Sequence, residues 1–285
     1  MELTLEFWYL LLISIVIATI AMSSGVGGAV FFSPLFILAL KLDPKMAVGA
    51  ALITELFGFS SGLIAYIRAR LIDFSLAGQL LVFSVPAAIV GSYYADAIPS
   101  IVLKAIFAVG LVVIGFQLYN AWRKEERAKR ELEHIEEFKD DYESTLTDST
   151  GQTYKYTVCN KNMGRSFAAI GGAFVGMISV GLAELQEYHL VARCKVPTPV
   201  AVATSIFVVV ITVAVASVGH VYEFVHAGEA VYTRVLNIVI YTVPGVIIGG
   251  QLGPRLQKVI SEDKMKVAIA WVFMVLGAFM LYTLM

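Results

Sequence analysis

Charged side chains are scarce in this chain. Asp, Glu, Lys and Arg make up 15% of its 285 residues, against about a quarter in soluble domains. From Phe7 to Leu40 there is none across 34 residues. Cysteine is nearly absent: Cys159 and Cys194 follow no metal or redox spacing, and isolated cysteines of this kind are expected to be structural or incidental. No Lys or Arg precedes the first apolar run, only Glu2 and Glu6. The basic start of a secretory signal is therefore missing, and residues 5–22 read as a retained helix. No G-x-x-x-x-G-K-[ST] loop occurs, which argues against nucleotide-driven pumping. A net charge of −1 leaves no electrostatic footprint for nucleic acid.

What is present is apolar length. The chain is 58% hydrophobic, and its mean hydropathy is +0.78. Uncharged stretches recur at 46–54, 74–95, 105–122, 166–183, 196–219, 235–252 and 267–285. A bilayer core takes about 20 helical residues to cross. The pattern predicts an all-α polytopic membrane protein whose environment is the lipid bilayer. Expected segments are 5–22, 30–40, 46–67, 73–95 and 98–121, then 165–182, 184–195, 197–219, 231–253 and 264–284. The segments at 30–40 and 184–195 are short, as re-entrant pieces would be.

Three regions follow: a membrane repeat at 1–121, a charged insertion at 122–163 and a second membrane repeat at 164–285. Fifteen of the 22 residues from 122 to 143 are charged, with mixed sign. They read as a solvated linker. After them, Asp148-Ser149-Thr150-Gly151-Gln152 separates two Thr/Tyr-rich runs, which predicts a small hairpin. Arg123, Lys124, Arg127, Lys129 and Arg130 follow the fifth segment, so the insertion is expected on the cytoplasmic side of the cell membrane. The loops with Arg68 and Arg70 and with Arg255 and Lys258 fall on the same side. Both termini, Lys41, Lys45 and a loop carrying His220, Glu223, His226 and Glu229 then lie outside.

The halves repeat. Gly25-Val26-Gly27-Gly28-Ala29 precedes Ser179-Val180-Gly181-Leu182-Ala183 by 154 residues, and Val85-Pro86 precedes Val243-Pro244 by 158. Further weak matches keep the same order. With about five segments per half, the repeats are expected in opposite orientations. Broken segments at matching positions of inverted repeats mark substrate sites in secondary transporters.

These residues resemble the sulfite exporter TauE/SafE family. Its hallmark is a glycine-rich stretch ending the first helix of each half, then a proline and a small-residue helix. Here that is Gly25-Val26-Gly27-Gly28 with Pro34, and Gly176 through Ala183. The resemblance covers roughly 5–121 and 164–284. It implies transport of small sulfur-containing or organic anions such as sulfite, thiosulfate or sulfonates. Two departures bear on the substrate: Leu182-Ala183-Glu184 is less glycine-rich than usual, and Pro34 has Tyr188 as its counterpart.

The break itself suggests the chemistry. A helix starting after Gly28 presents unpaired N–H groups and a positive dipole end, an anion cradle without a charged side chain. Ser23, Ser24, Gly25, Gly27 and Gly28 form the first such element. Ser179 and Gly181 form the second, and Thr54, Thr204 and Ser205 on the following helices are added donors. The plainer alternative is close helix packing by small residues. Glu55 sits near the middle of its segment, where an ionisable group is costly and usually functional. Glu55 and Glu184 are the candidate proton carriers. A reading of another class, a membrane-embedded enzyme or metal protein, would use Glu55, Glu184, Glu187 and His189. No nucleophile–base spacing or metal-ligand motif supports it, so no catalytic residue, metal or cofactor is expected, and the expected partner is a small anion. A homo-oligomer is compatible with the sequence.

Overall fold

A computed structural model describes residues 5–24, 27–131, 144–257 and 262–284. A 3-10 turn, Leu5–Phe7, leads into ten α-helices. They are α1 (Tyr9–Ser24), α2 (Ala29–Leu38), α3 (Pro44–Ala69), α4 (Phe74–Ala97), α5 (Ser100–Glu131), α6 (Lys161–Ile178), α7 (Leu182–Glu187), α8 (Thr198–His226), α9 (Glu229–Gln257) and α10 (Glu262–Tyr282). A π-helical turn, Tyr188–Arg193, prolongs α7. The hairpin forms where the turn residues put it, with β1 (Ser144–Thr147) antiparallel to β2 (Thr153–Tyr156). Among the described residues, five helices, α3, α4, α5, α8 and α9, are long and apolar enough to cross a membrane. The chain is a polytopic membrane protein, helical throughout its membrane part.

Helix starts and stops follow local chemistry. Asp43 caps α3 by accepting from Lys45 N, with Pro44 in the first turn. Ser100 Oγ donates to the other Asp43 oxygen at 2.7 Å, tying the start of α5 to the start of α3. Asp73 caps α4 through Leu76 N at 2.9 Å. At 1.5 Å per residue, a helix of the length of α3 carries the chain about 39 Å, so its two ends lie at opposite ends of the bundle. The hairpin clasps the far end. Ser149 N donates to Ala69 O at 2.9 Å, and Tyr156 OH donates to Asp73 at 2.8 Å. Burial first, then the neighbouring Asp73 carboxylate, holds the Tyr156 phenol above its usual range and keeps it a donor.

Two discontinuous segments enter from opposite ends. α1 runs inward and α2 returns toward the Asp43–Ser100 end. α6 runs inward from the hairpin end, and α7 with its π turn returns there. Backbone-to-backbone packing holds both in place. A side chain at Gly172 or Gly176 of α6 would collide with the backbone of α4 at Ser84 or Ala88. A Cβ at Gly245 or Gly249 of α9 would come within 2.5 Å of Leu11 O or Ile15 O of α1. Small residues let helices approach closely where lipid gives no hydrophobic drive between them. Helices α3 and α8 are central: 67% and 78% of their spanning windows are buried, against 33–44% for α4, α5 and α9. Outward faces carry large apolar side chains such as Val82, Phe116, Val218 and Val275. Such a surface suits a lipid environment and not water.

Two expectations are corrected here. His220, Glu223 and His226 are not in a loop: α8 continues to His226, and Glu229 opens α9. Phe224 and the valines around it keep the apolar surface going past His220. His220 is 2% exposed, and its Nε2 lies 3.1 Å from Gly176 O. The two cysteines are not isolated. Cys159 and Cys194 form a disulfide across 35 residues. The return of α7 and its π turn brings Cys194 back beside the entrance of α6, a proximity that linear spacing does not reveal.

Candidate functional site

The centre of the bundle is where the two breaks meet. Gly28 caps α2, and Gly181 caps α7 with φ 113°, a left-handed conformation that favours glycine. Ser179, also left-handed at φ 59°, ends α6. The resulting turns aim three backbone N–H groups inward.

Those donors are occupied, and this corrects the expectation of unpaired N–H groups. Ala29 N donates to Glu55 Oε1 at 3.2 Å. Gly27 N donates to Glu184 Oε1 at 3.3 Å. Gly181 N donates to Glu184 Oε2 at 3.0 Å. Both carboxyls are almost fully buried. They converge on Gly27, where a Cβ would sit 3.0 Å from Glu55 Oε1 and 3.5 Å from Glu184 Oε1. At each break an acidic side chain thus occupies the backbone donors. A buried charge without partners is costly, so the N–H groups and the carboxyls satisfy each other. Glu55 comes from α3 and Glu184 from α7, so one group spans what sequence numbering separates.

Two narrow voids, neither with room for more than about one water, flank the Glu55 carboxyl. The first is lined by Ala18, Gly28, Phe32 and Gly58, among others. The second is lined by Gly27, Val30, Ser179, Gly181, Glu184 and Val209.

Among the expected site residues, Gly27, Gly28, Ser179, Gly181, Glu55 and Glu184 are brought together. Ser179 Oγ pairs with Ser33 Oγ at 2.7 Å, linking α2 to the second break. Thr54 Oγ1 turns away to Thr242 Oγ1 at 2.8 Å on α9. Ser23 Oγ is engaged by Ile20 O at 2.8 Å and faces Met265. Thr204 stands at the hairpin end, accepting from Asp73 N at 3.0 Å. Ser205 is buried one turn before the cavity-lining Val209, and its hydroxyl has no partner among the described residues. Gly25 and the side chain of Ser24 lie outside the described residues.

Sequence reasoning missed Ser33, Gln186 and Val209. Gln186, 2% exposed, has neither its oxygen nor its nitrogen paired among the described residues. An amide between Glu184 and Glu187 in a short apolar segment was the available signal. His189 is separate from the carboxyl pair. Its ring packs against Phe167 and stands 3.7 Å from the Cys194 sulfur. Among the described residues, no group of three or more His, Cys, Asp and Glu side chains could hold a metal ion.

Comparison with known proteins finds membrane transporters. The chain is 22% identical over 285 residues to the probable membrane transporter protein YunE of Bacillus subtilis (strain 168), covering 98% of each chain. It is 25% identical over 259 residues to the probable membrane transporter protein YjnA of the same organism, covering 86% of this chain and 90% of the relative. No solved structure matches. The model of the family described as Sulfite exporter TauE/SafE matches residues 10–280, and with its two broken segments meeting at the centre of a polytopic bundle, the chain belongs to that family of membrane transporters.

Proposed function

We propose that this protein is a secondary transporter that moves a small sulfur-containing or organic anion, of the sulfite, thiosulfate or sulfonate class, together with a proton across the cytoplasmic membrane. The observation carrying this reading is that Glu55 and Glu184 accept from the N–H groups that open the returning segments. Hydrogen bonds to a carboxylate are roughly twice as strong as neutral ones. A proton arriving on either carboxyl weakens its hold on the N–H group and frees that donor for an incoming anion. Proton and anion then occupy the centre together, and the charge crossing the bilayer falls by one. Each charge moved against 100 mV costs about 2.3 kcal/mol.

Two inverted repeats provide the moving parts in this reading. It is supported by paired contacts: α1 packs along α9 as α6 packs along α4, and α5 packs against α10. The hydroxyl pair Thr54–Thr242 has its counterpart in Ser84–Thr212, at 2.9 Å. Both members shift by 158 residues, as Pro86 and Pro244 do. The hairpin end faces the cytoplasm, because Arg68, Arg70, Lys161, Arg165, Arg193 and Lys195 gather there.

Uptake of radiolabelled sulfite into proteoliposomes, with and without a pH gradient, tests the reading. Glu55→Gln keeps size and a hydrogen-bonding amide but cannot release a proton. The variant is expected to bind sulfite and to lose gradient-driven accumulation at least tenfold. An unchanged pH dependence in the variant would make Glu55 a structural group.

A further inference from the structure

The Cys159–Cys194 bond closes α6, the break, α7 and the π turn into one covalent loop. Glu184 sits near the tip of that loop and the disulfide at its mouth. Cys159 directly precedes Asn160, the cap of α6, and Cys194 ends the π turn through its N–H to His189 O at 3.0 Å. Both cysteines are only half-buried, so the bond is within reach of a reductant. Cys194 is flanked by exposed Arg193 and Lys195, and the His189 ring is 3.7 Å from its sulfur. The cations Arg193 and Lys195 would stabilise a Cys194 thiolate and make it a better leaving group.

The location is unusual for a permanent bond. The disulfide lies at the end of the bundle where the basic residues gather, so on the orientation proposed above it faces a reducing compartment. Disulfides there are usually transient and regulatory.

We infer that Cys159 and Cys194 form a reversible dithiol–disulfide latch on the second discontinuous segment, opened by a cytoplasmic dithiol reductant. In the opening step a reductant thiolate attacks one cysteine sulfur and the other leaves. The second reductant thiol then resolves the mixed disulfide. The protein S–S bond is broken, an S–S bond forms in the reductant, and two electrons and two protons end on Cys159 and Cys194. The oxidised loop holds its two arms together at the mouth and restrains Glu184. The reduced loop lets α7 and the π turn separate from α6, which opening toward the cytoplasm requires.

The inference rests on the proposed orientation, and the tests separate the two. Intact cells are treated first with a membrane-impermeant reductant, and thiols are then trapped with a mass-tagged maleimide. Cleavage by the impermeant reagent would place the bond outside and overturn orientation and latch together. A bond protected from that reagent yet fully oxidised under all growth conditions would overturn the latch alone. A mixed population that shifts with the cytoplasmic thiol state is expected. In nanodiscs, dithiothreitol is expected to raise hydrogen exchange across residues 179–193 severalfold. Sulfite flux in proteoliposomes is expected to rise severalfold, with Cys159→Ser and Cys194→Ser flux high and insensitive to dithiothreitol. Unchanged exchange in fully reduced wild-type protein would overturn the latch without reliance on any variant. Responsive exchange with no sulfite flux in either state would support the latch and remove sulfite as the substrate.

Discussion

Gly27 is the single residue against which both carboxyls lie. Its N–H donates to Glu184, and the space over its Cα is filled by the Glu55 carboxyl. A valine there must push Glu55 aside, because its Cβ alone arrives at 3.0 Å from Oε1. Gly27→Val is expected to leave the protein folded and to weaken sulfite binding at least tenfold, read by isothermal titration in detergent. Undiminished affinity would separate the substrate from the carboxyl pair. Gln186 is a contrasting case. A buried amide with no partner among the described residues is a costly group to retain, and under the proposed function substrate oxygens would satisfy it. Gln186→Leu, similar in volume, is expected to preserve or raise thermal stability while reducing affinity several-fold. A fall in stability with unchanged affinity would assign the amide a structural role.

Between elements, the crossing of α4 and α6 depends on Gly172 and Gly176. Their missing side chains bring the two backbones into contact. Forcing extra methylenes into such an interface costs about 1–3 kcal/mol, occasionally more. Gly172→Leu is expected to lower the melting temperature and to reduce flux by displacing the second break. The same change at Gly78, which has nothing within 4 Å, is expected to do neither. The hairpin gives a pH prediction. Asp148 accepts from the Thr150 hydroxyl at 2.7 Å and from Thr150 N and Gln152 N. The Thr150 hydroxyl chiefly, then the backbone donors, holds its carboxyl below the usual value. Its stabilisation of the turn is therefore complete above the unfolded carboxyl range, near pH 4, and is lost as pH falls through the lower folded value. Amide exchange at Ser149 and Gly151 is expected to accelerate relative to other hairpin amides below about pH 4. In Asp148→Asn this acid step is expected to vanish.

Across the whole molecule, the two discontinuous segments enter from opposite ends and meet at one carboxyl pair. That architecture predicts opposite exposure of Ser149, in the hairpin turn, and Glu229, at the start of α9. Single cysteines at these positions, in a background lacking Cys159 and Cys194, are expected to react with an impermeant maleimide from opposite sides of the membrane. Reaction from one side would refute the topology.

The elements that the sequence determined are those governed by local chemistry. Long uncharged runs mark the spanning helices because a backbone in lipid must satisfy itself within a helix. Asp148 through Gln152 mark the hairpin, since turn residues act within a few positions. Glu55 stood out in the sequence because a carboxyl at mid-span is costly, and the fold buries it against the Ala29 N–H. Tertiary structure decided what depends on partners distant in the chain. Thr54, Thr204 and Ser23 look like site hydroxyls until Thr242, Asp73 and Ile20 engage them. Phe224 and its apolar neighbours carried α8 beyond the expected loop, and the return of the π turn joined Cys159 to Cys194. In the sequence alone, the N–H groups at the breaks read as open donors. Only the folded chain brings Glu55 and Glu184 to them, because a buried donor must find an acceptor and the nearest ones come from α3 and α7.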